Sequence, residues 1–221
     1  MEFISLEDTK KIKLDKRYCT KYVLESSMCQ ELFNFVCKNF KIVKDDKGSI
    51  LLAYHSVYFD TPDFQMNKDH INHKVHRQKI RVREYESGEK FLEIKDKNNH
   101  VSTKLRIPVT SYELDGQEQW ISDNLIYDTR NLEKKLDVYF YRITLVDKEN
   151  TYRVTIDFNL RFFNYKTNKS YNFSKTIIEV KKKASGDTFF ESEMKRILTE
   201  DWPEFSQTKI SKYNIGLEKT L

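Results

Sequence analysis

Side chains two apart in a β-strand share a face, and eight stretches of this chain sort their residues by that period. They are Arg17–Leu24, Leu52–Phe59, Lys79–Tyr85, Phe91–Lys95, Ser102–Val109, Val138–Asp147, Thr151–Leu160 and Ile177–Lys182. In Lys79–Tyr85, Ile80 and Val82 take one face and Lys79, Arg81 and Arg83 the other. Leu92 and Ile94 likewise oppose Glu93, Lys95 and Lys97, and Leu105 and Ile107 oppose Lys104 and Arg106. Tyr141, Ile143 and Leu145 oppose Arg142, while Tyr152, Val154 and Ile156 oppose Arg153 and Asp157. Ile178 and Val180 oppose Glu179 and Lys181. Eight alternating strands with a few helices give an antiparallel α+β domain that can close into a barrel.

Three helices are expected. Ser27 and Gln30 form a capping box ahead of Met28, Leu32, Val36 and Phe40 at helical spacing. A second covers Glu118–Tyr127 with Trp120, Ile121 and Leu125 on one side. The third covers Phe190–Leu198 and stops at Trp202-Pro203. The turns Lys44–Ser49 and Tyr165–Ser170 are the nearest approach to linkers, so residues 1–221 read as one domain.

The charged face is one-sided in sign. The charged positions named above comprise ten basic and three acidic residues, although the whole chain carries a net charge of only +5. Ordinary surfaces intersperse both signs. Two like charges about 8 Å apart at an effective dielectric near 20 repel by about 2 kcal/mol, so a face with ten cations calls for an anion. Arg suits bidentate contact with phosphate oxygens and Lys adds point charges. The aromatic residues fall mainly on the opposite face, which argues against base stacking and nucleic acid. A polyanion rich in phosphate is the expected partner.

Other classes drop out. Aromatic residues make up 14% of the chain, which disordered segments do not carry. No apolar run approaches the roughly 18 residues of a membrane span, and the first residues lack a secretory h-region. Cys19, Cys29 and Cys37 are odd in number and have no C-x-x-C spacing, which fits a reducing, cytoplasmic setting. His70, His73 and His76 have no Cys or carboxylate to complete a zinc set and read as an exposed loop or short helix. No P-loop, G-x-G-x-x-G or G-x-S-x-G is present. Glu179 stands out as an acid among cations. It reads as a salt-bridge partner or as a ligand for Mg²⁺ or Mn²⁺, which at phosphate sites take one or two carboxylates. Asp157 and Glu93 could assist, and Asp157 could equally pair with Arg153.

The order of motifs resembles a known family. Ser56-Val57-Tyr58-Phe59-Asp60-Thr61-Pro62-Asp63, then Lys79-Ile80-Arg81-Val82-Arg83-Glu84-Tyr85, is similar to the catalytic domain of the vacuolar transporter chaperone family. Those are polyphosphate polymerases of the triphosphate tunnel metalloenzyme superfamily. Thr20-Lys21-Tyr22, Phe91–Lys95, Tyr141-Arg142-Ile143, Tyr152–Asp157, Ile178–Lys181 and Ser211-Lys212-Tyr213 follow in the family's order. The resemblance implies an eight-stranded antiparallel barrel with helices outside. It also implies phosphate ligands at Lys21, Arg81, Arg83, Lys95, Lys104, Arg142, Arg153, Lys181 and Lys212, and a Mn²⁺ or Mg²⁺ ligand at Glu179. Of these, Arg81, Arg83, Lys95, Arg142, Arg153 and Lys212 would carry catalysis.

Two departures matter. Hydrolytic members carry E-x-E-x-K on the first strand, whereas the residues before Lys21 read Arg17-Tyr18-Cys19-Thr20. Asn67 stands where the family pattern has Tyr. The membrane and inositol-phosphate-binding domains of larger family members have no counterpart here, which leaves room for a membrane-protein partner. The leading expectation is transfer of the γ-phosphoryl of ATP to a growing polyphosphate chain. Tripolyphosphate or nucleoside triphosphate hydrolysis, and polyphosphate binding without turnover, are the alternatives.

Overall fold

The computed structural model describes residues 2–12, 17–25, 34, 38–99, 101–183, 192 and 210–221. The chain runs β1 (Glu2–Ser5), α1 (Leu6–Lys11), β2 (Arg17–Glu25), β3 (Phe40–Lys44), β4 (Leu52–Asp60), α2 (Gln65–Ile71), β5 (His76–Tyr85), β6 (Lys90–Asn98) and β7 (Val101–Val109). It continues through α3 (Glu118–Asn124), β8 (Glu133–Asp147), β9 (Tyr152–Asn164), β10 (Lys169–Phe173), β11 (Lys175–Lys183) and α4 (Lys212–Thr220). All eight expected strands are present, most of them a few residues longer than the alternation required. They are β2, β4 to β9 and β11. Two of the expected helices, with Cys29 and Cys37, fall outside the described residues apart from isolated positions.

Phe40 is a correction: it opens β3 rather than ending a helix. Its spacing from Val36 fits a helix, yet Phe40-Lys41-Ile42-Val43 is a short apolar run that either structure tolerates.

The residues form two compact units. The first holds residues 1–52, 141–160 and 173–210. Its strands hydrogen-bond in the order β2-β11-β9-β8, with β3 antiparallel to β8 and β1 parallel to β3. Tyr22, Leu24, Ile42, Leu145, Val154, Ile156, Ile178 and Val180 bury its apolar face. The turn between β8 and β9 is tied by Asp147, whose carboxylate accepts from Thr151 N, Thr151 Oγ1 and Tyr152 N. Asn150 there takes φ 57°, a left-handed position that Asn tolerates.

The second unit holds residues 53–140, 161–172 and 211–221. Its strands run in the order β8-β4-β5-β6-β7, and β10 pairs with β9. Val57, Phe59, Ile80, Val82, Leu92 and Ile94 form the apolar face. Met66 of α2 and Ile121 of α3, with Leu125, pack against it, as the Trp120–Leu125 pattern predicts. Leu105 departs from expectation, being exposed on β7 at the end of the strand order. Among the described residues, no helix is long and apolar enough to cross a membrane.

The helix α4 was illegible because Gly216 interrupts it, and Gly costs about 1 kcal/mol in a helix relative to Ala. Packing explains the glycine. A Cβ there would lie 2.4 Å from Leu136 Cδ2 and 2.6 Å from Phe162 Cδ1, both in the buried interior. Gly216→Ala should therefore lower stability by about 1–3 kcal/mol through overpacking, despite its better helix propensity. A melting temperature equal to or above wild type would show that the helix shifts at no cost.

Candidate functional site

The second unit carries its cations in cross-strand rows. Tyr58 of β4 lies opposite Arg81 of β5, which lies opposite Glu93 of β6 and then Arg106 of β7. The next row sets Lys79, Lys95 and Lys104 side by side, and another sets Ser56 opposite Arg83. Because the period is two, Ile80, Val82, Leu92 and Ile94 all point the other way into the core.

Glu93 is the hub of this face. It is 1% exposed. Its Oε2 accepts from Arg81 Nε at 2.8 Å and Arg81 Nη2 at 2.5 Å. Its Oε1 accepts from Lys104 Nζ at 2.8 Å and the Tyr85 hydroxyl at 3.1 Å. Burial alone would raise its pKa, but Arg81, Arg83 and Lys104 reverse that and hold the carboxyl far below its ordinary value. Its four acceptor positions are all filled by these donors in this state.

Arg81 also donates Nη1 to the Tyr58 hydroxyl at 2.8 Å. Arg83 is buried, donates Nε to Ser56 Oγ at 2.9 Å, and lies over the Tyr54 and Phe140 rings. Lys212 Nζ sits 4.7 Å from the same Phe140 centroid. Burial would raise the Tyr58 pKa, but Arg81, Arg83 and Lys212 outweigh it and lower it. Burial, with Arg81 and Arg83 near, lowers the Lys104 ammonium despite Glu93. Lys95 is exposed. The structure thus gathers Arg81, Arg83, Lys104 and Lys212 around Glu93, Tyr58 and Phe140. Sequence reasoning missed Tyr58, although alternation along β4 puts it on the same face as Ser56.

Lys212 is seated by a second buried carboxylate. Asp60 accepts from the backbone N–H groups of Thr61, Met66 and Asn67 and from the Tyr213 hydroxyl at 2.8 Å. Burial raises its pKa and those hydrogen bonds pull the other way, leaving it raised. Tyr213 stacks on Tyr58 with centroids 5.0 Å apart. Lys79 Nζ donates to Ser211 Oγ and Asn214 Oδ1 at 2.8 and 2.7 Å. Asn67, the departure from the family pattern, accepts from Asn214 Nδ2 at 2.5 Å.

The first unit has its own rows. Glu179 of β11 lies opposite Lys21 of β2 on one side and Thr155 of β9 on the other, and Lys181 lies between Cys19 and Arg153 in the same way. Glu179 accepts from Cys19 Sγ at 2.9 Å and pairs with Lys181 Nζ at 3.3 Å. Surrounding protein and the Glu179 charge push the Cys19 thiol up to about 11. Lys21 Nζ donates to the Ile210 carbonyl at 3.0 Å and Arg153 Nη2 to the Thr9 carbonyl at 2.8 Å.

The pairing of Asp157 adds to the expectation. Arg142 Nε and Nη2 grip its two oxygens at 2.6 and 2.8 Å, so Arg142 is a bidentate partner of Asp157 that the alternation alone did not suggest. Among the described residues, no three His, Cys, Asp or Glu side chains cluster as a metal set. A bound Mg²⁺ or Mn²⁺ would have Glu179 as its single carboxylate there. His70 lies in the last turn of α2, His73 sits in the turn after it and His76 opens β5, where it meets Asp96.

The VTC domain model matches residues 16–221. The chain belongs to the VTC domain family. A comparison with curated proteins finds no match. Among solved structures, a proposed adenylate cyclase from Bacillus halodurans has a TM-score of 0.55 at 11% identity, covering 90% of this chain and 95% of that one. A proposed adenylyl cyclase from Hippeastrum, described as having a dominant triphosphatase activity, has a TM-score of 0.54 at 14% identity over 92% and 96%. A Pyrococcus horikoshii protein has 0.53 at 12% identity over 91% and 96%. The VTC chain therefore has the fold of the triphosphate tunnel proteins.

A lowered carboxyl pKa makes a signed prediction. The stability Glu93 contributes is complete above its unfolded value of about 4.3 and is lost as pH falls toward its lower folded value. The melting-temperature gap between wild type and Glu93→Gln should narrow steadily below about pH 4.3, since protonated Glu resembles Gln. A gap unchanged down to about pH 2.5 would refute the ion-pair assignment.

Proposed function

We propose that this VTC domain is a metal-dependent polyphosphate polymerase that transfers the γ-phosphoryl of ATP to a growing polyphosphate chain. The observation that supports the reading best is the gathering of Arg81, Arg83, Lys104 and Lys212 on the polar face of one sheet, where the buried Glu93 carboxylate pairs with Arg81 and Lys104. The triphosphatase activity described for the Hippeastrum relative is in line with phosphate-chain chemistry on this fold.

Phosphoryl transfer asks little covalent chemistry of the protein; positioning and charge stabilisation supply the catalysis. Arg81 and Arg83 would hold equatorial phosphate oxygens, with their planar guanidinium groups fixed by Glu93, Ser56 and the neighbouring rings. Lys104 and Lys95 would add mobile point charges, and Lys212, seated by Tyr213, would neutralise developing charge. In the first unit, Lys21, Arg142, Arg153 and Lys181 are assigned the same ligand chemistry. Glu179 would hold Mn²⁺ or Mg²⁺, which when bound would neutralise phosphate charge.

Incubation with ATP and Mn²⁺, followed by gel analysis and phosphorus NMR, tests the reading. Long chains with ADP are expected. Orthophosphate would make the protein a hydrolase, and tripolyphosphate binding without turnover would make it a binding module. Glu179→Gln should reduce turnover by orders of magnitude while leaving metal-free tripolyphosphate binding equal or tighter. Activity titrated against Mn²⁺ with matching curves for wild type and Glu179→Gln would end the metal-ligand assignment.

A further inference from the structure

Glu93 lies at the centre of the cationic face, is fully buried, and yet belongs to none of the phosphate ligands. Its bonds are arranged unevenly. Arg81 grips Oε2 side-on through Nε and Nη2 and gives one Nη1 hydrogen to Tyr58. A guanidinium has five N–H donors, so two remain beyond these bonds, one on each terminal nitrogen, to meet phosphate oxygens. Lys104, by contrast, has a side chain 41% exposed and reaches inward to Oε1, where Tyr85 also donates. One cation is locked in place by Glu93 and the other is lent to it.

We infer that Glu93 is a resident counter-anion: it positions Arg81 for phosphate, competes with phosphate for Lys104, and so sets how loosely a phosphate chain is held. The inference rests on triphosphate binding by this face. A polymer that must advance along its site cannot be gripped at full Coulombic strength, and a fixed carboxylate lowers that grip without removing any donor. Binding then moves Lys104 Nζ from Oε1 to a phosphate oxygen, while Tyr85 keeps Oε1 company and Arg81 retains both bonds to Oε2.

The test compares tripolyphosphate binding by wild type and Glu93→Gln using calorimetry. Gln keeps an oxygen for Arg81, but its NH₂ cannot accept from Lys104 or Tyr85. Expected are a lower melting temperature without ligand and tripolyphosphate affinity at least tenfold tighter than wild type. Unchanged or weaker affinity with the same loss of stability would reduce Glu93 to a structural brace and overturn the inference. Should Glu93→Gln fail to fold, a structure of the wild-type tripolyphosphate complex decides. Lys104 on phosphate with Arg81 still on Glu93 supports the inference, and an intact Lys104–Glu93 bond overturns it. Wild-type protein that binds no tripolyphosphate would instead remove the function proposed above, and this inference with it.

Discussion

A strand face can be lined with guanidinium and ammonium groups only if their mutual repulsion is answered, and in the second unit the buried Glu93 carboxylate answers it. The ion pair with Arg81 is not a surface bridge of the kind that contributes little to stability. Both oxygens are saturated by four donors, which is the condition under which a buried charge is tolerated. The arrangement fixes Arg81, and through it the Tyr58 hydroxyl. Tyr58 in turn stacks on Tyr213, so the face and the C-terminal helix share one ring contact.

Asp60 plays the complementary part at the end of β4. A strand that stops at a buried acid would be costly, but the backbone N–H groups of Met66 and Asn67 at the start of α2, where a helix offers unsatisfied donors, and that of Thr61 in the preceding turn converge on it. The fourth donor comes from Tyr213, 153 positions away in sequence. Asn67 adds a side-chain bond to Asn214 on the same helix. The departure from the family pattern at residue 67 is thus part of the seat of α4, and it bears on Lys212 rather than on phosphate directly.

Much of this was legible from period two alone. Arg81, Arg83, Lys95 and Lys104 share a face because Ile80, Val82, Leu92 and Ile94 must share the other, and burial enforces that register strongly. What the period cannot give is which residues face each other across strands. Asp157 shows the reason. Arg153 lies four residues away on the same strand, about 13 Å at about 3.3 Å per residue, whereas residues on paired strands approach to about 5 Å. Arg142, on the neighbouring strand, grips both oxygens of Asp157 although it lies farther away in sequence. Glu93 was visible as an acid on a basic face, but its four donors come from the two strands on either side of its own, whose register the sequence does not state. The short elements β1, β3 and β10 hold too few residues to display a period, and α4 was hidden by the glycine its packing requires.

The same reasoning bears on transfer against hydrolysis. A water-activating second metal needs carboxylates near the first, and the E-x-E-x-K pattern of hydrolytic tunnel enzymes would supply them from β2. Aligned on Lys21, the two acid positions are Arg17 and Cys19. Cys19 does not substitute for an acid. With its thiol raised to about 11 it stays protonated at neutral pH, and its Sγ donates to Glu179 instead of offering a thiolate. The residue at this position therefore consumes an acceptor of Glu179 and adds no negative charge. Glu179 is left as a single carboxylate beside Lys181 and opposite Lys21. On the function proposed above, such a site would hold one divalent ion and favour an acceptor that brings its own negative oxygen, as the end of a phosphate chain does, over a water molecule that must first lose a proton.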